Sequence, residues 1–227
     1  MFPGQIHPCT DVEMKNYSLL LLATLETFRS KRRKMQTKRQ QEIIQTALRL
    51  IHEKGIQGLT IKNLSNELGI SEPAIYRHFE NKTQILVTIL DSLQQNSAEI
   101  FEEALKKDNG PIAKIEFLYE RYFLSFSKVP SLTSVVFSEE VFRNEPKLIS
   151  KIAEIIAYNN QVLLTILKEG QQNNEIRNDV EAEHLAIVIM GTLRLFVKKW
   201  QFSEFSFNIR EEGRKIIESI KLIIANS

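Results

Sequence analysis

Residues 60–82 read TIKNLSNELGISEPAIYRHFENK, and this stretch decides the fold. Thr60 and Ser71 are N-cap residues in front of two short segments with helical periodicity, and Gly69 stands between the segments. Pro73 fits the first turn of the second segment, because the first N–H groups of a helix need no partner within it. Two short capped helices joined by a glycine-containing turn predict a helix-turn-helix.

The apolar side chains of this stretch are spaced so that the two helices pack together against a helix that precedes them. They are Leu64, Leu68, Ile70, Ile75 and Phe79. This packing leaves one face of the second helix free, and a helix of this kind fits the major groove of DNA. The sequence therefore predicts that the N-terminal residues of this helix meet the edges of the bases.

Helical periodicity continues on both sides of the motif, and 8 Gly and 6 Pro in 227 residues are few breakers. We predict an all-α chain, in which a first helix begins at a Thr37 cap and stops at Gly55. The third helix is expected to run to about Phe79, and a fourth helix, capped by Asn81, to reach about Lys107. Five more are expected at about 112–127, 131–142, 146–172, 181–202 and 209–225.

Positive charge is concentrated around the motif. The net charge of the chain is +2, but residues 29–83 hold 12 Lys and Arg against 5 Asp and Glu. The residues before this segment carry a net charge of −2, and those after it a net charge of −3. A basic segment in front of a mildly acidic body is typical of a DNA-binding domain on a neutral scaffold. A solvated basic face is the alternative explanation of the same pattern.

Residues 1–34 differ from the rest of the chain and are expected to be disordered or partly helical. A clean helical pattern begins directly after Met35, so Met35 or Met14 could be the native start of the protein. The residues before that start would then be an over-called extension of the sequence. The alternative is a basic arm that adds phosphate contacts and steepens the salt dependence of binding. The residues of that arm would be Lys31, Arg32, Arg33 and Lys34.

The remaining composition excludes several classes of protein. The one cysteine, Cys9, cannot form an internal disulfide, which fits a cytoplasmic location. The apolar run at residues 19–23 is far shorter than the ~20 residues of a membrane span, and strong charges follow it rather than precede it. The sequence contains no glycine-rich phosphate loop, nucleophile elbow or histidine–carboxylate pair at metal spacing. We therefore expect no enzyme activity, no cofactor and no metal.

The motif resembles the signature of the TetR family of regulators, and its Tyr-x-His-Phe-x-x-Lys ending is the distinctive part. The matching residues are Thr60, Ile61, Leu64, Gly69, Ile70, Ser71, Ile75, Tyr76, His78, Phe79, Lys82 and Leu86. The resemblance extends roughly over residues 37–224. It implies a three-helix DNA-binding domain at 35–82 and a helical ligand-binding and dimerisation domain at 83–227, with residues 1–34 outside both.

The resemblance implies that four residues contact the phosphate backbone of DNA. Tyr76 and His78 would contact operator phosphates, and Tyr76 could also lie against bases. Lys82 would contact a phosphate at the start of the fourth helix, where the helix N-terminus also favours an anion. Thr60 would cap the second helix and reach phosphate through its hydroxyl.

A second group of positions is expected to carry the preference for an operator sequence. Members of the family differ at Glu72, Pro73, Ala74 and Arg77, and Lys62 occupies a position that reads a base in some members. Arg77 is the best candidate for bidentate bonding to guanine O6 and N7. Glu72 could accept from a cytosine N4, or it could instead stabilise the N-terminus of its helix.

The resemblance also implies a ligand pocket between the middle helices. The aromatic residues expected to line it are Phe101, Phe117, Tyr122, Phe123, Phe126, Phe137, Phe142 and Tyr158. A lining rich in Phe and poor in charge suits an apolar or amphipathic effector, such as an acyl chain or a hydrophobic drug. Aromatic residues at helical spacing are equally explained as ordinary core.

Homodimerisation is expected through the last two helices, whose apolar stripes are wider than packing on one core demands. The residues assigned to the interface are Leu185, Ile189, Leu193, Phe196, Trp200, Ile216 and Ile220. Two copies would pair as a four-helix bundle. The expected function is a repressor that binds a near-palindromic operator as a dimer and leaves it when the effector binds. The alternative is a TetR-fold protein without an inducer, which recruits a protein partner as in nucleoid occlusion.

Overall fold

The computed structural model describes residues 36–137 and 145–226, and within these ranges the chain folds into α-helices. In chain order the helices are α1 Lys38–Gly58, α2 Ile61–Leu68, α3 Glu72–Tyr76, α4 Lys82–Leu105, α5 Pro111–Lys128, α6 Leu132–Val136, α7 Pro146–Gln172, α8 Ala182–Phe202 and α9 Ile209–Ile224. The β-pairing in the described residues is a single antiparallel bridge between Ile176 and Ala225. The all-α fold class is confirmed. No helix in the described part of the chain is long and apolar enough to cross a membrane.

The first helix begins as its sequence predicts and ends differently. A reciprocal capping box fixes its start, because Thr37 Oγ1 accepts from Gln40 N at 3.2 Å while Gln40 Oε1 accepts from Thr37 N at 3.0 Å. Gly55, with a φ of +67°, interrupts the helix, and one more turn continues to Gly58. Glycine adopts this backbone conformation without a steric penalty, so the residue bends the helix rather than ending it.

Most of the other helices lie within a few residues of their expected bounds. The exceptions are α3, which is shorter than expected, and the segment expected at 131–142. The structure shows α6 at Leu132–Val136, and residues 138–144 lie outside the described ranges, as do residues 1–35 and Ser227. The expectations for the N-terminal extension therefore also fall outside the described residues.

Two apolar clusters form the interior, and α4 contributes to both. The first cluster joins α1, α2 and α3 to the N-terminal half of α4, where Leu86 and Leu90 are buried, and it extends to α6 and α7. The second joins the C-terminal half of α4, with Ile100 and Phe101 buried, to α5, α7, α8 and α9. One helix, α4, is therefore packed at its start into α1, α2 and α3, which we call the reading head, and at its end into α5, α7, α8 and α9, which we call the body.

Candidate nucleic-acid interface and regulatory core

The turn between α2 and α3 is fixed by its own backbone. Thr60 Oγ1 accepts from Asn63 N at 3.0 Å at the start of α2. Gly69 ends the helix in the left-handed conformation with a φ of +64°, and Ile70 N then donates to Ser65 O at 3.0 Å. This 6→1 bond closes a Schellman motif, which satisfies a terminal carbonyl and sets the direction in which the chain leaves α2. The geometry of the turn therefore comes from residues within the quoted motif.

The regular part of α3 spans Glu72–Tyr76 and ends before Phe79, the end expected from the sequence. The N–H groups of His78 and Phe79 both donate to Ile75 O, at 2.9 Å and 3.0 Å. The shared acceptor tightens the last turn and stops regular helix there. Ser71 has the extended backbone of an N-cap, but its side chain makes no capping hydrogen bond, which corrects the expectation that its hydroxyl caps α3.

The side chains expected to meet DNA lie on α2, on α3, on residues that directly flank these two helices, and on the first residue of α4. Six of them are exposed: Thr60, Lys62, Glu72, Pro73, Tyr76 and Arg77. Three are half-buried: Ala74, His78 and Lys82. Tyr76 is 51% exposed, whereas its neighbour Ile75 is fully buried, so α3 holds its apolar side in the core and presents a large aromatic ring to solvent.

Lys82 and Glu72 each carry a local role in addition to the one expected at DNA. Lys82 Nζ donates to Ile56 O at 3.1 Å, which uses one of the three ammonium protons and leaves two for a phosphate. Asn81 caps α4 by accepting from Gln84 N at 2.9 Å. Glu72 lies in the first turn of α3, where a carboxylate stabilises the helix N-terminus, and this supports the second of its two readings.

Three of the aromatic residues expected around a ligand meet in the body. The ring of Phe101 on α4 lies edge-on to Tyr122 of α5 and to Tyr158 of α7, with centroid distances of 6.2 Å and 6.0 Å. We call these three residues the aromatic triad. Burial raises the pKa of both tyrosines well above the ordinary value, so both hydroxyls remain protonated.

The other expected pocket residues that the structure describes make different contacts. Phe126 packs on Phe137 at 5.8 Å between centroids, and Phe117 is half-buried with Lys107 Nζ 4.4 Å from its ring centroid. Phe123 packs against Phe196 of α8 at 5.4 Å. Phe142 lies outside the described residues.

A shallow cavity of about 120 Å³ lies between α5 and α9. Its lining includes Phe123, Leu124, Ile217, Arg121, Arg210 and Arg214. Phe123 is the one residue that this cavity shares with the expected pocket lining. The aromatic triad therefore lies outside it.

A buried polar cluster adjoins the aromatic triad, and the sequence analysis did not identify it. Ser97 Oγ lies 2.7 Å from Tyr122 Oη and donates to Asn159 Oδ1 at 2.7 Å. Gln94, three residues before Ser97 on α4, is 6% exposed, and its Nε2 has no hydrogen-bond partner. The available signal was the placement of Gln94 and Ser97 at helical spacing on the apolar side of α4.

The dimer interface assigned from the sequence stays a prediction, and burial within the protomer argues against most of the residues named for it. Six of the residues assigned to the interface are buried in the protomer's own second cluster, and Ile216 is half-buried against it. The six are Leu185, Ile189, Leu193, Phe196, Trp200 and Ile220. Side chains that already fill one protomer's core are not available to a partner. The exposed apolar residues of the same helices are Ile187, Val188, Leu195, Phe202, Leu222 and Ile223.

The fold and the exposed reading head define a helix-turn-helix DNA-binding protein with a helical regulatory body. Two family models match the chain: bacterial regulatory proteins of the tetR family at residues 43–89, and the C-terminal region of YsiA-like proteins at residues 91–225. The second match alone covers more than half of the chain. The chain belongs to the TetR family of transcriptional regulators. In residues 36–137 and 145–226, no group of three or more His, Cys, Asp or Glu side chains could hold a metal ion.

Three relatives illustrate the range of roles within this similarity. The probable acrEF/envCD operon repressor of Escherichia coli K12 is 24% identical over 189 residues, covering 81% of this chain and 85% of the relative. The fatty acid metabolism regulator protein of Bacillus subtilis is 24% identical over 177 residues, covering 78% and 91%. The nucleoid occlusion factor SlmA of Pasteurella multocida is 23% identical over 166 residues, covering 70% and 83%.

Solved structures share the fold over nearly their whole length. The fatty acid degradation regulator FadR from Bacillus halodurans superposes with a TM-score of 0.72 at 18% identity, covering 83% of this chain and 97% of its own. The FadR structure from Bacillus subtilis in complex with stearoyl-CoA gives a TM-score of 0.68 at 23% identity, covering 79% and 96%. At these identities the likeness establishes the fold.

Proposed function

We propose that this chain is a cytoplasmic repressor that binds a near-palindromic operator as a homodimer and releases it when a small apolar or amphipathic effector binds. The observation that carries the proposal is the course of α4. Its first residue, Lys82, lies at the exposed reading head, and Phe101, near its other end, belongs to the aromatic triad. A change at the triad therefore has a rigid path to the DNA-binding residues.

In the proposed complex the two groups of reading-head residues have different tasks. Thr60, Tyr76, His78 and Lys82 hold phosphates, which supplies affinity for any DNA sequence. Lys62, Pro73, Ala74 and Arg77 set the preferred sequence, and Glu72 beside them stabilises the N-terminus of α3. Arg77 is exposed at the C-terminal end of α3, where a guanidinium can bond to guanine O6 and N7.

The dimer supplies the spacing that an operator requires. Two reading heads must meet successive major grooves ~34–36 Å apart, so each protomer positions only half of the site. Val188, Leu195 and Phe202 recur every seven residues on α8, and all three are exposed. Such a stripe suits pairing with a second copy of the same helix. Gly191 lies within this stretch, and the space around its Cβ position is open to a partner helix.

The effector acts by shifting a population of conformers. Release of DNA requires that the effector bind the conformer unable to hold the operator more tightly than the one that holds it. An acyl compound is a suitable effector, because the body offers buried aromatic surfaces and a structural relative carries stearoyl-CoA. A ligand in contact with Phe101 would act on α4 directly.

The experiment is operator selection followed by titration. Purified full-length protein selects duplexes from a random library, and fluorescence anisotropy then gives the Kd for the selected sequence and for a scrambled one. Arg77→Ala is expected to lose the preference at one position of each half-site, by a factor of about 10 to 100. Arg214→Ala, an exposed arginine on α9, serves as the control and should leave both Kd values unchanged. Selection that yields no preferred sequence would contradict the proposal.

A second candidate function is favoured by the SlmA relatives: a DNA-binding protein that occupies many chromosomal sites and recruits a protein partner. Genome-wide binding maps separate the two functions. A few promoter sites support the repressor, whereas many dispersed sites with no response to any effector support the alternative.

A further inference from the structure

We propose that Gln94, together with Ser97, Tyr122 and Asn159, forms a recognition site for the carbonyl oxygen of a neutral, otherwise apolar ligand. The inference rests on the proposed function as a repressor that an effector releases from DNA, and it specifies the chemistry of that effector. The compounds that fit are esters, thioesters and ketones with a long apolar body. Free fatty acids in their ionised form do not fit.

The Gln94 amide lies in the interior of the protein. Its side chain is more than nine-tenths buried and its Nε2 has no hydrogen-bond partner. A buried donor without an acceptor is destabilising, and native proteins leave few such groups. A leucine or methionine at this position would fill the same space without that cost. A ligand oxygen that accepts from Nε2 would satisfy the amide.

Gln94 shares the buried side of α4 with Ser97, which belongs to a buried polar cluster. Ser97 lies one helical turn further along α4 and is bonded to Tyr122 Oη and Asn159 Oδ1. The ring of Tyr122 also belongs to the aromatic triad with Phe101 and Tyr158. Polar atoms from α4, α5 and α7 therefore meet beside apolar aromatic surface. This is the composition of a site that orients one polar atom of an apolar ligand.

The polar cluster at Ser97 is uncharged. Its members are the Ser97 and Tyr122 hydroxyls and the Asn159 amide, and none of them carries a positive charge to balance a buried anion. The Glu102 carboxylate contributes, after burial itself, to raising the pKa of Tyr158, so the charge that acts on this tyrosine is negative. Burying a carboxylate without a cationic partner is strongly unfavourable. The site therefore favours a neutral carbonyl over a carboxylate.

The test compares two neighbouring glutamines. Gln94→Met keeps the length of the side chain and removes its amide, whereas Gln95→Met does the same at a residue whose Nε2 bonds to Glu99 at the surface. Gln94→Leu is a second variant in case methionine repacks. Each full-length protein is titrated by calorimetry with undecane, methyl decanoate and decanoate, and its Tm is measured without ligand.

The wild type and Gln95→Met are expected to bind methyl decanoate about tenfold more tightly than either of the other two compounds. Gln94→Met and Gln94→Leu should lose that preference while still binding undecane. Their Tm should rise by about 2 to 4 °C, because a buried unpaired donor has been removed.

Two results would overturn the inference. If the Gln94 variants unfold at a lower temperature than the wild type, the amide is bonded within the folded protein. If they keep the preference for methyl decanoate, a group other than the Gln94 amide binds the carbonyl oxygen of the ligand. A wild type that binds none of the compounds, or prefers decanoate, also overturns the proposed ligand class. Failure of the proposed repressor function is seen in different measurements: the protein would bind no operator, or no effector would release it from the operator.

Discussion

Lys82 Nζ lies 3.1 Å from the carbonyl oxygen of Ile56, and this hydrogen bond joins the start of α4 to the last turn of α1. Ile56 lies directly after Gly55, at the bend of α1, and its carbonyl also accepts from Leu59 N at 3.2 Å. The bond therefore fixes α4 to the reading head at the residue that is also expected to hold a phosphate. One ammonium group therefore makes a structural bond and is also the group expected to contact a phosphate.

We expect Lys82→Met to weaken operator binding and to lower its dependence on salt. Each lost phosphate contact should reduce the slope of log Kd against log salt concentration by about 0.9. The loss of the bond to Ile56 should also lower the free energy of unfolding by about 1 kcal/mol. Anisotropy titrations between about 50 and 200 mM KCl measure the slope. Lys106→Met, just after the other end of α4, is the control, and an unchanged slope in Lys82→Met would remove the phosphate role.

Gly69→Ala should destabilise the reading head by about 1 to 2 kcal/mol, because an L-residue is strained at the φ of +64° found there. No atom lies within 4 Å of the added Cβ, so backbone strain is the whole of the effect. Gly69→Asn should cost less, since asparagine tolerates the left-handed conformation. Urea unfolding followed by circular dichroism gives the comparison. Equal stability of the Ala and Asn variants would show that strain at this residue is not what limits stability.

Gly213→Ala should separate α9 from α5. A Cβ at Gly213 would come within contact distance of the Phe123 ring, closer than real side chains approach. Overpacking of this kind costs about 1 to 3 kcal/mol, offset by roughly 1 kcal/mol from the better helix propensity of Ala. On a Phe123→Leu background the same change should be neutral or stabilising, because the ring is gone. A double-mutant cycle in urea tests this, and strictly additive effects would mean that the two residues do not press on each other.

The reading head could be predicted from the sequence because its geometry is local. The Thr60 cap bonds to a residue three positions away, and Gly69 adopts the conformation that ends α2. Local hydrogen bonds of this kind can be predicted from the types of the residues and their spacing in the sequence. The end of α3 was less predictable, since it depends on two N–H groups that share the Ile75 carbonyl.

The body was less predictable because its important features depend on packing between distant segments. Leu193 and Leu195 are both leucines on α8, yet the first is buried and the second is 72% exposed. Apolar residues lie on both faces of α8, so the buried face is decided by where α5, α7 and α9 lie. Gln94 presents the same difficulty: whether its amide finds a partner depends on side chains of α5 and α7, far away in the sequence.

The exposed face of α8 carries large apolar side chains. Leu195 is 72% exposed and Phe202 is 79% exposed, and Leu222 on α9 is 83% exposed. Large apolar side chains grouped in this way mark an interaction surface more often than a free one. If the occupant is a second copy of the chain, a charge introduced at Leu195 is placed opposite its own image across the two-fold axis.

Leu195→Glu should therefore convert the dimer into a monomer without loss of helix content, because the side chain lies outside the protomer's core. Analytical ultracentrifugation gives the mass, and anisotropy should show operator affinity falling toward that of a single half-site. Ile149→Glu is the matched control, since Ile149 is also an exposed apolar residue but lies on α7. The pairing of α8 would be excluded if Leu195→Glu remained dimeric. If both variants lost the dimer, the contact surface would have to extend onto α7.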